Sequence, residues 1–286
     1  MARGGPSLPT WRASGAAEPS ASRRMPFTVS HVAAVLPLYR PLTRRRVFTA
    51  AVIGSMVPDF GMLLPGGLER WQTHSLSALL NFCLPMGLIT YLLTLALIKP
   101  AVIEVLPDAA YARLARSPPA PSLARLTSWL WLSAALLFGA LTHLVWDGFT
   151  HENARGVRLF PQLLDYGPNM AGHQLRLYVW MQYGSSVVGL AVVLAALALW
   201  LYHAPALTTR PVRRMQFAER MVWIVLYVAL PLALMAAFAG LIALHTHEPL
   251  LSRSAVEDTA IVGMRGAGIS LLLISALIRA RLAAWA

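Results

Sequence analysis

Six residues of this 286-residue chain can ligate a cation and stand where apolar segments begin or end: His31, Asp59, His74, His143, Asp147 and His151. His143 and Asp147 are four apart, which on a helix puts both side chains on one face. An imidazole and a carboxylate so placed suit one shared ion, since both are ordinary zinc donors. His151 follows on roughly the same side if the helix continues, a point that Gly148 leaves open. Asp59 sits in Val-Pro-Asp-Phe, where Pro58 breaks or kinks the preceding helix. Each piece also has a plainer explanation. His143 and Asp147 could be a hydrogen-bonded helix-end pair, and Asp59 an N-cap. His74 could be an exposed interfacial residue beside a capping Thr73 or Ser75, and His31 another interfacial histidine. Together they say more, because unpaired imidazoles and carboxylates are costly at membrane depth. Their recurrence at one depth points to a shared divalent cation.

The elements that must hold these groups follow from composition. Of the residues, 57% are hydrophobic and 13% charged. Several apolar runs reach the ~20 residues that cross a bilayer as a helix. Backbone groups in lipid must be satisfied internally, so such runs are read as helices rather than strands. The expected fold is all-α: a polytopic transmembrane helix bundle with about six membrane helices. They are placed roughly at 47–64, 75–98, 128–149, 178–202, 220–244 and 260–280, after a short re-entrant or tilted helix over Phe27–Tyr39. Residues 1–24 are rich in Pro, Ser, Gly and Arg and lack an apolar signal core. They are expected to be a disordered tail or an over-extended start ahead of Met25, with 25–286 forming a single transmembrane domain.

The formal net charge of +12 is almost wholly arginine, with Lys99 the only lysine. In a soluble protein that excess would raise nucleic-acid binding. Here the basic residues fill alternate loops: Arg40 to Arg46, Lys99 to Arg125, Arg210 to Arg220, and Arg279 with Arg281. The positive-inside rule explains them better, so the partner is the lipid bilayer and not nucleic acid. It places the C-terminus in the cytoplasm. Asp59, His74, His143, Asp147 and His151 then share the outer end of the bundle, a height set by a rule that takes no account of them. The lone Cys83 excludes a disulfide framework and a cysteine metal motif.

Other polar groups leave alternatives open. His245, His247 and Glu248 could complete a second metal position or lie in a solvated loop, and His173 is a weaker candidate. His203 reads as interfacial. Gln182, Tyr183, Ser185 and Ser186 form a polar patch that either joins helices or lines a cavity. Arg155 and Arg158 could bind an anionic headgroup or face solvent.

With these residues in view, the chain resembles the domain of unknown function 4184 family of bacterial membrane proteins. The likeness lies in Met-Pro-Phe-Thr-Val-Ser-His (25–31), Ile53-Gly-Ser-Met-Val-Pro-Asp-Phe60 and Thr73-His-Ser75. It continues in Gly139-Ala-Leu-Thr-His-Leu-Val-Trp-Asp-Gly-Phe-Thr-His151 and Gln182-Tyr-Gly-Ser-Ser186. More distantly, the order of these groups resembles the YdjM-like membrane-bound metal-dependent hydrolases. It is also similar to zinc-dependent phospholipase C and S1/P1 nuclease. That resemblance implies His31, Asp59, His74, His143 and Asp147 as ligands, with Asp147 bridging two metals. The histidine and glutamate that complete the soluble cluster have no firm match here, so one or two ions are expected. It also implies residence in the bacterial cytoplasmic (inner) membrane.

The function expected is a metal-dependent hydrolase at the outer membrane face, acting on a lipid or lipid-linked phosphoester. Bound zinc would lower the pKa of its water towards ~7 and polarise a phosphoryl or carbonyl oxygen. Asp59 or Glu152 would take the proton, and sequence does not separate a ligand from a base. Arg155 and Arg158 would orient the anionic group. The alternative is a non-catalytic scaffold or sensor with a structural metal. A transporter fits less well, because 84–98, 187–201 and 222–244 are nearly bare of charge.

Overall fold

Among the residues that the computed structural model describes (28–64, 68–114, 119–170, 173–206, 215–246 and 253–284), nearly all structure is helical. In chain order come α1 (Thr28–Leu38, a 3-10 helix), α2 (Phe48–Gly54) and α3 (Val57–Leu63, also 3-10). The long helices follow: α4 (Leu79–Val105), α5 (Leu126–Thr150), α6 (Leu177–His203), α7 (Phe217–Thr246) and α8 (Arg253–Ala283). Two short antiparallel strands, β1 (Tyr166–Met170) and β2 (His173–Arg176), lie between α5 and α6. The expectation for residues 1–24 falls outside the described residues.

The five long helices are each long and apolar enough to cross a membrane, which indicates a membrane protein. Their outward faces carry many exposed leucines and valines, and no residue in the apolar window of α7 is buried within the protein. Such a surface is stable only against hydrocarbon.

The sixth expected span, 47–64, is not one helix. The chain turns after Gly54, and Met56 N–H bonds the Ile53 carbonyl in a tightened 3-10 geometry. Pro58 has no N–H to give the Gly54 carbonyl, so the α-helical ladder cannot run through it. What looked like a span is two short helices, α2 and α3, meeting at Ser55–Met56. Irregular backbone of this kind survives at membrane depth only where protein covers it. Here Gly54, Ser55, Val57, Pro58 and Asp59 are all buried.

Glycine makes the cover possible. The backbones of α2 and α5 cross so closely that a Cβ at Gly54 would strike the Leu136 carbonyl, and one at Gly139 the Ala51 carbonyl. This is how membrane helices gain packing energy without a hydrophobic drive between them. Val35, Val47, Ala50, Ala51, Ile53, Val57, Cys83, Leu132 and Leu136 fill the core around the crossing. A second apolar cluster, with Ala101, Val105, Ile274 and Ile278, joins α4 to α8 at the far end.

Candidate metal centre

The α2–α5 crossing sets up the site directly. One turn beyond Gly139, the His143 ring donates Nδ1–H to the backbone carbonyl of Ser55 at 2.8 Å. That carbonyl is free because of the break. In a continuous helix it would accept from Asp59 N–H, but that N–H bonds the Met56 carbonyl instead, at 3.1 Å. A carbonyl can only accept, so His143 is fixed as the Nδ1–H tautomer with Nε2 left as a lone-pair donor. Outer hydrogen bonds of this kind orient histidine ligands in metal sites.

His74 is set the same way. It caps the one-turn helix Arg70–Thr73, and its Nδ1 lies 2.7 Å from Thr73 Oγ1. The Thr73 hydroxyl points its own proton at the Arg70 carbonyl, so His74 donates from Nδ1 and Nε2 again faces inward. Ser75 accepts from Ala78 N–H in the turn that leads into α4. Asp59 is not an N-cap. Its Oδ2 accepts from Thr28 Oγ1 at 2.8 Å, which ties α1 to α3, and its Oδ1 points at the histidines.

Four groups meet: Asp59, His74, His143 and Asp147, from α3, the Arg70–Thr73 turn and α5. His74 Nε2 lies 3.3 Å from Asp59 Oδ1 and 3.4 Å from Asp147 Oδ2. His143 Nε2 lies 3.5 Å and 3.4 Å from the same two oxygens. These separations exceed the ~2.7–3.2 Å of a direct N–H···O bond. These four of the six donor–donor separations are close to the ~3.3–3.4 Å between ligands that stand ~2.0–2.1 Å from a tetrahedral ion, as in zinc sites, and all four donors lie within 4.8 Å of one another. The group could hold a metal ion.

His31 and His151 close the ring around it. The His31 ring stacks on His143 with centroids 3.9 Å apart, and its Nε2 is 3.6 Å from Asp147 Oδ1. Trp146 meets it edge-on. Gly189 of α6 lets Ser30 approach, which seats α1 and so places His31. His151 lies just past α5 and folds back to give Nδ1–H to the Asp147 carbonyl at 3.3 Å, capping an open helix end. Burial pushes this imidazole down to about 4; Asp147 opposes the shift, while Arg70 and His74 add to it. It is neutral at pH 7, with Nε2 available.

Across the cluster, seven buried atoms lack any hydrogen-bond partner: both ring nitrogens of His31, Nε2 of His74, His143 and His151, and Oδ1 of Asp59 and Asp147. Leaving so many buried groups unpaired costs roughly 1–3 kcal/mol each. A cation would satisfy several of them together.

The other expected site residues lie apart. Glu152 is exposed and makes none of these contacts. Arg155 and Arg158, on the short helix Arg155–Leu159, are exposed and do not reach the carboxylates. The arginine that does is Arg70, whose Nη2 donates to Asp147 Oδ2 at 2.7 Å. Its place four residues before His74 did not by itself separate it from the other loop arginines. Ser185 accepts from Trp146 Nε1, and Gln182 is buried on α6 with both amide atoms unpartnered. His203 is exposed at the end of α6. His247 and Glu248, and the side chains of His173 and His245, lie outside the described residues.

The family described as "Domain of unknown function (DUF4184)" matches residues 25–276. The chain belongs to this family. No curated protein and no solved structure matches it. All six clustered residues of this DUF4184 chain fall inside the matched span.

Proposed function

We propose that Asp59, His74, His143 and Asp147 bind one divalent cation, zinc by donor type, and that the protein is a membrane-embedded metal-dependent hydrolase. The observation that carries the reading is the cluster of seven unpartnered buried atoms, three of which lie with Asp147 Oδ2 at the 3.3–3.5 Å separations that suit one shared ion. When bound, the ion supplies Lewis acidity and a water of lowered pKa. The chain's own part is to hold the two histidines in one tautomer, to exclude bulk water, and to keep His31 and His151 as neutral bases beside Asp147.

The site's position supports an amphiphilic substrate. It lies where α5 ends and α4 begins, at one end of the bundle, beside the exposed Trp71. Exposed tryptophans of this kind favour the lipid headgroup level. A hollow of about 480 Å³, lined by Leu163, Leu177, Trp180, Met181, Gly184 and Ser185, flanks α6. Ser185 connects it through Trp146 to His31, and an acyl chain fits that lining. By this reading the substrate is a lipid or lipid-linked phosphoester at the outer face of the bacterial inner membrane.

The four-ligand closure favours a second reading, a structural metal that staples α3 to α5, because catalytic zinc keeps a position open. One set of measurements separates the two. The full chain, purified in detergent without chelator, should carry about one equivalent of divalent metal, lost in His143→Ala and in Asp147→Ala. Metal-dependent hydrolysis of a phosphoester lipid supports the hydrolase. Bound metal that only raises the melting temperature supports the staple. A folded protein that takes up no metal on titration overturns both.

A further inference from the structure

We infer that Arg70 is the anion-recognition residue of this centre, so that the molecule drawn to it presents a phosphate or an equivalent oxyanion. The inference rests on the metal reading above and names what binds beside the ion.

Exposure singles Arg70 out. The side chains of His31, His143, Asp59 and Asp147 are 0–3% exposed, His74 is 10% and His151 13%, whereas Arg70 is 43% exposed. A molecule reaching the cluster from water therefore meets Arg70 first, with His74 and His151 behind it.

Its donors are mostly unspent. A guanidinium has five N–H groups in a rigid fork. Nη2 holds Asp147 Oδ2, and no other described residue accepts from the rest. Asp147 Oδ2 is also the oxygen that lies 3.4 Å from both His74 Nε2 and His143 Nε2. Anchored there, the fork stands at the edge of the coordination sphere, where an oxyanion touching the ion would lie within its reach. Arg–oxyanion pairs of this geometry are charge-assisted and often bidentate.

The charges agree. Two carboxylates cancel a divalent ion and the ligating histidines are neutral, so the loaded site with Arg70 carries one net positive charge at its mouth. An incoming anion neutralises it. Arg155 and Arg158, the arginines first expected in this role, have no contact with the cluster. The neighbouring Trp71, 72% exposed, places the Arg70 turn at headgroup level and so favours a lipid as the source of the phosphate.

The test uses the full-length protein in detergent, loaded with zinc and titrated calorimetrically with inorganic phosphate or with a short-chain phosphatidic acid. The wild type, Arg70→Met and Arg70→Lys are compared, and zinc affinity is measured separately on each. Arg70→Met is expected to keep its zinc and to lose anion affinity about tenfold to a hundredfold, the weight of a charge-assisted pair. Arg70→Lys should recover part of it by keeping the charge without the fork. Tighter binding of the short-chain lipid assigns the anion to a headgroup; tighter binding of inorganic phosphate assigns it to a free anion. A zinc-loaded wild type that binds neither probe overturns the inference and leaves the metal reading standing. So does anion affinity unchanged in Arg70→Met, or zinc affinity that falls in step with it. A wild type that takes no zinc overturns both readings.

Discussion

Replacing Gly139 with alanine should loosen the candidate metal centre without touching any of its proposed ligands. A Cβ there would run into the Ala51 carbonyl and stand 2.7 Å from Ser55 N, where ordinary contact begins at 3.4 Å. Relief needs the α2 and α5 backbones to part by roughly 0.7 Å at Ser55 and by more at Ala51. The His143 Nδ1–Ser55 carbonyl bond, now 2.8 Å, would stretch to about 3.5 Å, past the ~3.2 Å limit of such bonds. Forced overpacking costs ~1–3 kcal/mol, and the lost hydrogen bond adds about 1 kcal/mol. The expected destabilisation is therefore ~2–4 kcal/mol. Freeing a ligating histidine from its orienting partner typically weakens metal binding by ~10–100-fold. Melting temperature in detergent and zinc affinity from competition with a chelating dye read the two effects separately. Gly268→Ala on α8 is the control, since a Cβ there meets nothing within 4 Å and should be neutral or stabilising. A Gly139→Ala protein that melts and binds zinc like the wild type would refute the claim that this crossing positions His143.

Two further outcomes follow from the same geometry. Pro58→Ala restores a backbone N–H at the α2–α3 break and lets the helical ladder compete for the Ser55 carbonyl; zinc affinity should fall about tenfold with all ligands present. Unchanged affinity would show that the break does not serve His143. Ligation requires His74 and His143 with Nε2 unprotonated, so metal is retained at high pH and displaced by competing protons as pH falls. Affinity should fall steadily as pH is lowered, because protons compete with the ion for both ring nitrogens. Metal content after dialysis at about pH 8 and about pH 5 checks it, and full retention at the lower pH would count against histidine ligation.

The sequence made the helices legible because lipid admits few alternatives: a long apolar run over 178–202 or 128–149 has little else to become. It misled at 47–64, where hydropathy sees a span of sufficient length. Hydropathy does not register that Pro58 removes a donor or that Gly54 and Gly139 let two backbones touch. At the site, residue types and their depth were enough to single out the six clustered residues as candidates. The groups that orient them were less visible. The Ser55 carbonyl has no side-chain signature at all, and the Thr28 hydroxyl that holds Asp59 is one of many threonines. Arg70 looked like any loop arginine. Only the fold separates it from Arg155 and Arg158, which have the same chemistry but do not reach the carboxylates.

The broken helix and the candidate metal centre are one construction. A continuous helix over 47–64 would spend the Ser55 carbonyl on its own ladder and leave His143 Nδ1 without a partner at full burial, a cost of roughly 1–3 kcal/mol. Breaking the ladder exposes backbone groups that lipid cannot satisfy, so the break must be enclosed by protein. The Gly54–Gly139 crossing encloses it from the α5 side. The same crossing brings α5 near enough for His143 to take up the freed carbonyl. α1 lies against α3 through the bond from Thr28 to Asp59, and α6 seats α1 at Gly189. Each element that shields the irregular backbone therefore also carries or orients a member of the cluster. The short helices α1 to α3, which span nothing, are the part of the protein that the long helices enclose.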